Sequence, residues 1–503
     1  MTDASSTLDP NHSVGPVQRR LFGGFVEHLG RHIYDGIFEP THPEADEDGF
    51  RRDVIALVRE LGVSTIRYPG GNFVSGFQWE DSVGPREDRP RRLDLAWHST
   101  ETNEVGLHEF ADWLEKVGSE LMLAVNLGTR GTREALELLE YANIPGGTAL
   151  AERRIGNGRR EPFGVKMWCL GNEMDGPWQV GHRSAEDYGK IAAQTAKAMR
   201  MVDADLELVV CGSSSAHMPT FGEWERTVLT HTYDDVDYIS CHAYYEEKGG
   251  DLGSFLASAV DMDRFIESVV ATADHVGAVR GSQKRIDIAF DEWNVWYQSR
   301  FENVDKIAGL DNWPVAPRLL EDVYSVADAV VFGSLMISLL NHADRVTSAS
   351  LAQLVNVIGP IMTEPGGPAW RQTTFFPFSI TSRLARGRAL RLPVQAGTYP
   401  TERYGEVPLV DAAATHDDET GRAAVFLVNR STTEELTVTV DVTRLGDLSV
   451  EESHLMADED HYAKNTLEDP ERVTTRRNES ARVVDGRLTV ALPPVSWTAV
   501  GLA

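Results

Sequence analysis

The chain has 503 residues, more than one ordinary core accommodates, and 42% of them are hydrophobic, which excludes a disordered protein and makes two domains the starting expectation. Its 77 acidic and 48 basic residues leave a net charge of −29, which repels nucleic acid and anionic membranes. Such a surface suits a neutral ligand such as a sugar, although it is equally a plain solubility adaptation.

The first residues, MTDASSTLDPNHS, are polar and contain no apolar signal-peptide core, and no stretch approaches the ~20 apolar residues of a membrane span. The expected location is the cytoplasm. From about residue 21, short apolar runs alternate with helical patterns. The runs are Leu21–Val26, Thr65–Tyr68, Leu121–Leu127, Val165–Leu170, Leu206–Cys211, Tyr238–His242, Ile286–Phe290 and Val346–Leu351. Near-continuous hydrophobic runs are expected of parallel strands buried on both faces.

Between the runs lie amphipathic helices. Phe50, Val54, Leu57, Val58 and Leu61 share one face, as do Tyr188, Ile191, Ala192, Thr195, Ala198 and Val202, the latter after a capping box at Ser184–Asp187. Eight such βα units predict an α/β fold, a (β/α)8 TIM barrel, over residues 16–387. After Gly387 the pattern changes to short strands at Tyr404–Ala414, Ala423–Asn429, Leu436–Val442, Val450–Leu455, Arg487–Leu492 and Trp497–Leu502. Residues 388–503 therefore read as an antiparallel, jelly-roll-like β-sandwich, joined by a strand from residues 1–15. The cysteines Cys169, Cys211 and Cys241 are odd in number and each lies in or at the end of an apolar run, which argues against a disulfide framework or a zinc site.

Barrel active sites form where the strands end. Glu173 follows Val165–Leu170, and Glu292 follows Ile286–Phe290, three βα units later. A barrel mouth can bring the two together. Facing carboxylates about 5 Å apart serve double-displacement glycoside cleavage, one protonated to release the leaving oxygen and one ionised to attack the anomeric carbon. Trp178 and Trp296 nearby would wall a sugar ring. A structural ion pair is the competing reading for a lone strand-end glutamate; two of them, one after an asparagine and both near tryptophan, favour chemistry. No compact His/Asp/Glu ligand cluster lies beside either glutamate in the sequence, so neither metal nor other cofactor is expected.

Blocks along the barrel carry a resemblance. Trp168–His182 (WCLGNEMDGPWQVGH), Phe290–Tyr297 (FDEWNVWY), Phe25–Pro40, Ile66–Pro85, Arg91–Gly106, Val209–Ser215, Met218–Glu225 and Leu351–Glu364 are similar to glycoside hydrolase family 51, which is dominated by α-L-arabinofuranosidases, and to its intracellular bacterial type. The resemblance implies a barrel with a C-terminal sandwich. It also implies retaining, exo-acting hydrolysis of arabino-oligosaccharides, with Glu173 as acid/base and Glu292 as nucleophile. It makes Asn172 the donor to the sugar 2-hydroxyl, and Arg67 and Tyr244 the partners of the nucleophile.

Glu27, Asn72 and Gln353 resemble contacts to arabinose hydroxyls, and Phe25 and Trp97 the pocket lining. Core packing is the competing reading for Phe25 and Trp97, and a buried salt bridge a compatible one for Arg67. His28 and His242 read as satisfied structural histidines. The resemblance further implies a homo-oligomer, a hexamer. The chain departs from the family pattern at Ala243, where glutamine is expected, and in the stretches 246–252 and 300–311, which are expected at the pocket rim. Other activities that fit paired carboxylates are those of a β-xylosidase or an endo-β-glucanase; a non-catalytic sugar-binding protein would require the loss of one carboxylate.

Overall fold

The computed structural model describes residues 2–503. Eight parallel strands close into a barrel in chain order: β1 (Gly23–Phe25), β2 (Thr65–Tyr68), β3 (Glu120–Ala124), β4 (Met167–Cys169), β5 (Glu207–Val210), β6 (Tyr238–Tyr245), β7 (Asp287–Val295) and β8 (Val346–Leu351). Each predicted run overlaps its strand, but the limits differ. β1 is shorter, because Arg19–Phe22 form a 3-10 turn ahead of it. β6 and β7 run further, through Tyr244 and Glu292, so these two residues lie within strands and not beyond them.

The surrounding helices follow from their apolar faces. The helix Arg52–Leu61 buries Val54, Ile55, Leu57, Val58 and Leu61 and stops at Gly62, whose φ of 79° is the left-handed geometry glycine tolerates. The helix Ala185–Val202 starts where Ser184 Oγ accepts from the Asp187 N–H at 3.1 Å. Its buried face is rotated from the predicted one: Ala196 and Met199 are buried, whereas Val202 is exposed. The three cysteines are buried within the barrel.

Beyond the barrel stand two facing sheets. One has six strands in the order Ser13–Pro16, Arg388–Leu390, Val410–His416, Ala423–Asn429, Ser496–Leu502 and Val450–Met456, all antiparallel. The other has four, in the order Thr2–Thr7, Leu436–Asp441, Arg487–Leu492 and Arg482–Val484, and its first pair is parallel. The N-terminal residues thus supply a strand to each sheet. The predicted strand Tyr404–Ala414 divides at Pro408, which has no N–H to carry a ladder onward; Gly405–Pro408 pairs instead with Thr398–Thr401.

Alternation along Ala423–Asn429 explains how the two domains join. Val425 and Leu427 face the sandwich core, whereas Phe426 and Val428 pack into the barrel core with Trp497 and Ala499. The helix Val326–Asn341, buried from Val326 to Leu340, fills the junction. Its Gly333 lies flat against Trp497, and a Cβ there would be driven into the indole ring.

Candidate active site

The C-terminal mouth of the barrel holds a cavity of about 510 Å³. β1 delivers Phe25 and, just beyond it, Glu27. Glu27 Oε1 accepts from the Phe73 N–H and from Trp97 Nε1, both at 2.8 Å, and Oε2 accepts from Gln353 Nε2 at 3.2 Å. The Gln353 carbonyl in turn bonds His32. Burial pushes the Glu27 carboxyl up to about 8, against the pull of the Phe73 and Trp97 donors.

The loop after β2 crosses directly over these groups. A Cβ on Gly71 would meet Phe25 Cζ at 3.1 Å and oxygens of both Glu27 and Glu292 at 3.2 Å, which is why Pro69-Gly70-Gly71-Asn72 needs its glycines. From β2 itself, Arg67 Nη1 donates to Glu292 Oε1 at 2.9 Å and Nη2 to Asn172 Oδ1 at 2.6 Å, with the guanidinium 4.9 Å above the Phe25 ring. Burial works against the charge of Arg67, but Asp291 and Glu292 beside it hold it firmly protonated.

Glu173 follows β4 on a left-handed backbone, with φ at 42°, a conformation residues other than glycine seldom adopt. Its Oε2 accepts from Trp178 Nε1 at 2.7 Å, and its Oε1 stands 2.9 Å from His242 Nδ1. In β6 and β7, the register pairs His242 with Glu292 and Tyr244 with Asn294, after a bulge between Ser240 and His242. Such bulges break strict alternation, so adjacent Asp291 and Glu292 both meet groups of the site. His242 Nε2 lies 2.8 Å from Asp291 Oδ1, and Tyr244 O–H donates to Glu292 Oε2 at 2.7 Å.

One oxygen each of Glu173 and Glu292, together with a nitrogen of His242, lie within 4.8 Å of one another. Burial raises the Glu292 carboxyl, and facing Glu173 adds to this, while His242 and Arg67 oppose it. Burial alone would make His242 neutral, but Glu292 and Asp291 raise it well above the ordinary imidazole range. Burial would likewise lift Asp291, yet Arg67 and His242 hold it below the usual carboxylate range.

Ten of the residues singled out in the sequence line the cavity: Phe25, Glu27, Asn72, Trp97, Glu173, Trp178, Tyr244, Glu292, Trp296 and Gln353. Phe25 and Trp97 are therefore more than core packing. Arg67 and Asn172 are not on the wall; Asn172 spends its carbonyl on Arg67 and its N–H on Asn72 Oδ1 at 3.2 Å. His242 is satisfied on both nitrogens, as expected of a structural histidine, but it stands within the site, where it bridges Glu173 and Asp291 and lies 3.5 Å from Glu292. The glutamates have no ligand cluster beside them in the sequence, but the fold gives them neighbours of ligand type, bringing together Glu173 after β4, His242 of β6 and Glu292 of β7. Both ring nitrogens of His242 are already engaged, however, Nδ1 by Glu173 and Nε2 by Asp291, so neither is free for an ion.

Of the divergent stretches, 300–311 contributes Phe301, Glu302 and Lys306 to the cavity wall, while 246–252 supports from behind through Glu246, which accepts from Ser299 Oγ at 2.7 Å. Asp291, Ser214, Ser215, Gln298 and Ser299 also surround the site without having been singled out. Asp291, adjacent to Glu292, and Ser214 and Ser215, which follow the run Leu206–Cys211, carried a signal that could have found them.

A (β/α)8 barrel with two apposed carboxylates at its C-terminal mouth defines a glycoside hydrolase. Residues 57–251 match the α-L-arabinofuranosidase 1 domain and residues 291–496 the α-L-arabinofuranosidase C-terminal domain. An exo-α-(1→6)-L-arabinofuranosidase of Bifidobacterium longum is 60% identical over 99% of this chain and 97% of its own. An intracellular exo-α-(1→5)-L-arabinofuranosidase of Streptomyces lividans is 60% identical over 100% of this chain and 76% of its own. The solved structure of a family 51 α-L-arabinofuranosidase from B. longum superimposes with a TM-score of 0.96 at 50% identity, covering 100% of both chains. The chain belongs to the α-L-arabinofuranosidases of glycoside hydrolase family 51.

Proposed function

We propose that the protein releases terminal α-L-arabinofuranosyl residues from the non-reducing ends of oligosaccharides, with net retention, using Glu292 as nucleophile and Glu173 as acid/base. The observation that carries this reading is the approach of the two carboxylates to within 4.8 Å, each with different partners. Arg67 and Tyr244 hold Glu292 on both oxygens and stabilise its anionic form. In the first step Glu292 attacks C1, the glycosidic C–O bond breaks, and the proton of Glu173 passes to the leaving oxygen. In the second, Glu173 takes a proton from water, the hydroxyl adds to C1, and the ester bond to Glu292 breaks.

The floor formed by Phe25, Glu27, Asn72 and Gln353 receives the arabinosyl ring, and its burial suits one terminal sugar, hence exo action. Asn172 aligns Asn72 and reaches the 2-hydroxyl when substrate displaces their mutual bond. The two relatives are named for (1→6) and (1→5) bonds, and we extend these linkages to this chain. The relative's description as intracellular and the absence, among the described residues, of a helix able to cross a membrane are consistent with a cytoplasmic address and short imported oligosaccharides. A homo-oligomer, hexameric by family resemblance, is part of the same reading, and sedimentation velocity decides it.

The test compares 4-nitrophenyl α-L-arabinofuranoside with the β-D-xylopyranoside and β-D-glucopyranoside. Cleavage of the arabinoside should be far faster, and its first sugar product should have the α configuration by NMR. A comparable rate on the glucoside overturns the substrate reading.

A further inference from the structure

One segment, from Trp296 to Lys306, builds a whole wall of the cavity through Trp296, Gln298, Ser299, Phe301, Glu302 and Lys306. It is pinned at its start, where the Tyr297 N–H donates to Asp322 Oδ2 at 2.9 Å and Tyr297 O–H to Asp328 Oδ1 at 2.8 Å. Its continuation is pinned against the β2 loop: the Thr100 N–H donates to Pro314 O at 2.9 Å, and the His98 and Trp313 rings stack with centroids 3.7 Å apart. The wall is thus a held surface and not a loose loop.

Exposure orients it. Phe25, Glu27, Glu292 and Gln353 are at most 5% exposed and form the floor, whereas the Glu302 and Lys306 side chains are each 58% exposed at the mouth. Phe301 lies between these levels. Its ring centroid is 5.8 Å from that of Trp97 and 6.2 Å from that of Trp296, which meets Tyr244 edge-on at 5.0 Å. An aromatic arc therefore runs from the tyrosine on Glu292 outward to Phe301. At its outer end Lys306 Nζ pairs with Glu302 Oε2 at 2.9 Å, and Lys306 is the single cation among the residues lining the cavity.

We propose that Phe301, Glu302 and Lys306 form a subsite for the leaving group, specific for a neutral sugar ring. The C–H face of the ring lies on Phe301, and two adjacent hydroxyls span the ion pair, one donating to Glu302 and the other accepting from Lys306. This rests on the reading above, because a sugar whose C1 faces Glu292 places its departing oxygen at Glu173 and the departing ring toward the mouth.

The experiment measures kcat/KM for α-1,5-arabinobiose and for methyl α-L-arabinofuranoside, whose leaving group has no ring, and takes their ratio. It uses the full chain, Phe301→Leu, and the double variant Glu302→Gln/Lys306→Met. The ratio should fall about tenfold or more in each variant, since binding energy from the remote ring acts on the first chemical step. A ratio within twofold of wild type in either variant overturns the subsite. Failure of the wild-type protein to release arabinose from both substrates would instead overturn the proposed function.

Discussion

His242 Nδ1 lies 2.9 Å from Glu173 Oε1, so an imidazole from β6 touches the carboxyl that follows β4. Its other nitrogen is bonded to Asp291, and Glu292 is 3.5 Å away. Three acidic side chains of the site thus surround one buried imidazole, whose pKa Glu292 and Asp291 raise.

Replacing His242 tests this arrangement. Its positive charge opposes the burial that raises Glu292. His242→Gln keeps a hydrogen-bonding side chain but removes the charge, so Glu292 should rise further and the acidic limb of kcat/KM move to higher pH. A limb that stays in place or moves to lower pH would show that His242 does not set the charge of the nucleophile.

The wild-type profile of kcat/KM should be bell-shaped. Activity needs Glu292 ionised, and burial raises its carboxyl above the ordinary 4.5, so the rate should climb with pH through a limb above the usual carboxylate range. The basic limb reports the acid that protonates the leaving oxygen. Because the two groups face each other, both limbs are properties of the pair. Glu173→Gln should abolish the basic limb; a limb unchanged in that variant would assign it elsewhere.

The two glutamates should fail differently. Glu292→Ala should lose at least ~10⁴-fold whatever the leaving group, because no covalent intermediate can form. Glu173→Ala should lose on the order of 10²–10⁴-fold with alkyl leaving groups, yet form the intermediate readily from a 2,4-dinitrophenyl arabinoside. Azide, which needs no base, should rescue Glu173→Ala and give the arabinosyl azide with the substrate's anomeric configuration. Rescue of Glu292→Ala should give the opposite configuration, and exchanged products would exchange the roles.

Activity should survive dialysis against EDTA, because double displacement by two carboxylates calls for no metal and both His242 nitrogens are already engaged by Glu173 and Asp291. Loss of activity restored by added zinc or calcium would overturn this.

At the domain junction, Gly333→Ala should destabilise the protein by about 1–3 kcal/mol through overpacking against Trp497, which is fully buried. The melting temperature reads this directly. An unchanged value would mean that the helix Val326–Asn341 can move away from the sandwich at no cost.

The barrel strands were legible in the sequence because strands covered on both faces leave unbroken apolar runs, such as Ile286–Phe290 and Val346–Leu351. Glu173 and Glu292 were legible for a related reason: polar residues directly after such a run stand at the mouth, whatever the helices between them do. The helix from Ala185 was found by its Ser184 cap, but its buried face was misjudged, because a small residue such as Ala196 and a long one such as Met199 are chosen by neighbouring helices and not by period alone.

Closure of the barrel decided the rest. The strand register placed His242 beside Glu292, and a bulge turned Asp291 toward His242; neither leaves a mark in residue order, since both depend on hydrogen bonds between strands distant in the chain. The wall from Phe301 to Lys306 has no periodicity to detect, and its position comes from contacts with Asp322, Asp328 and the β2 loop. The sequence alone determined which carboxylates stand at the mouth. Only the tertiary structure decided what surrounds them, because charge, burial and hydrogen-bond partners are set by residues that meet across the barrel.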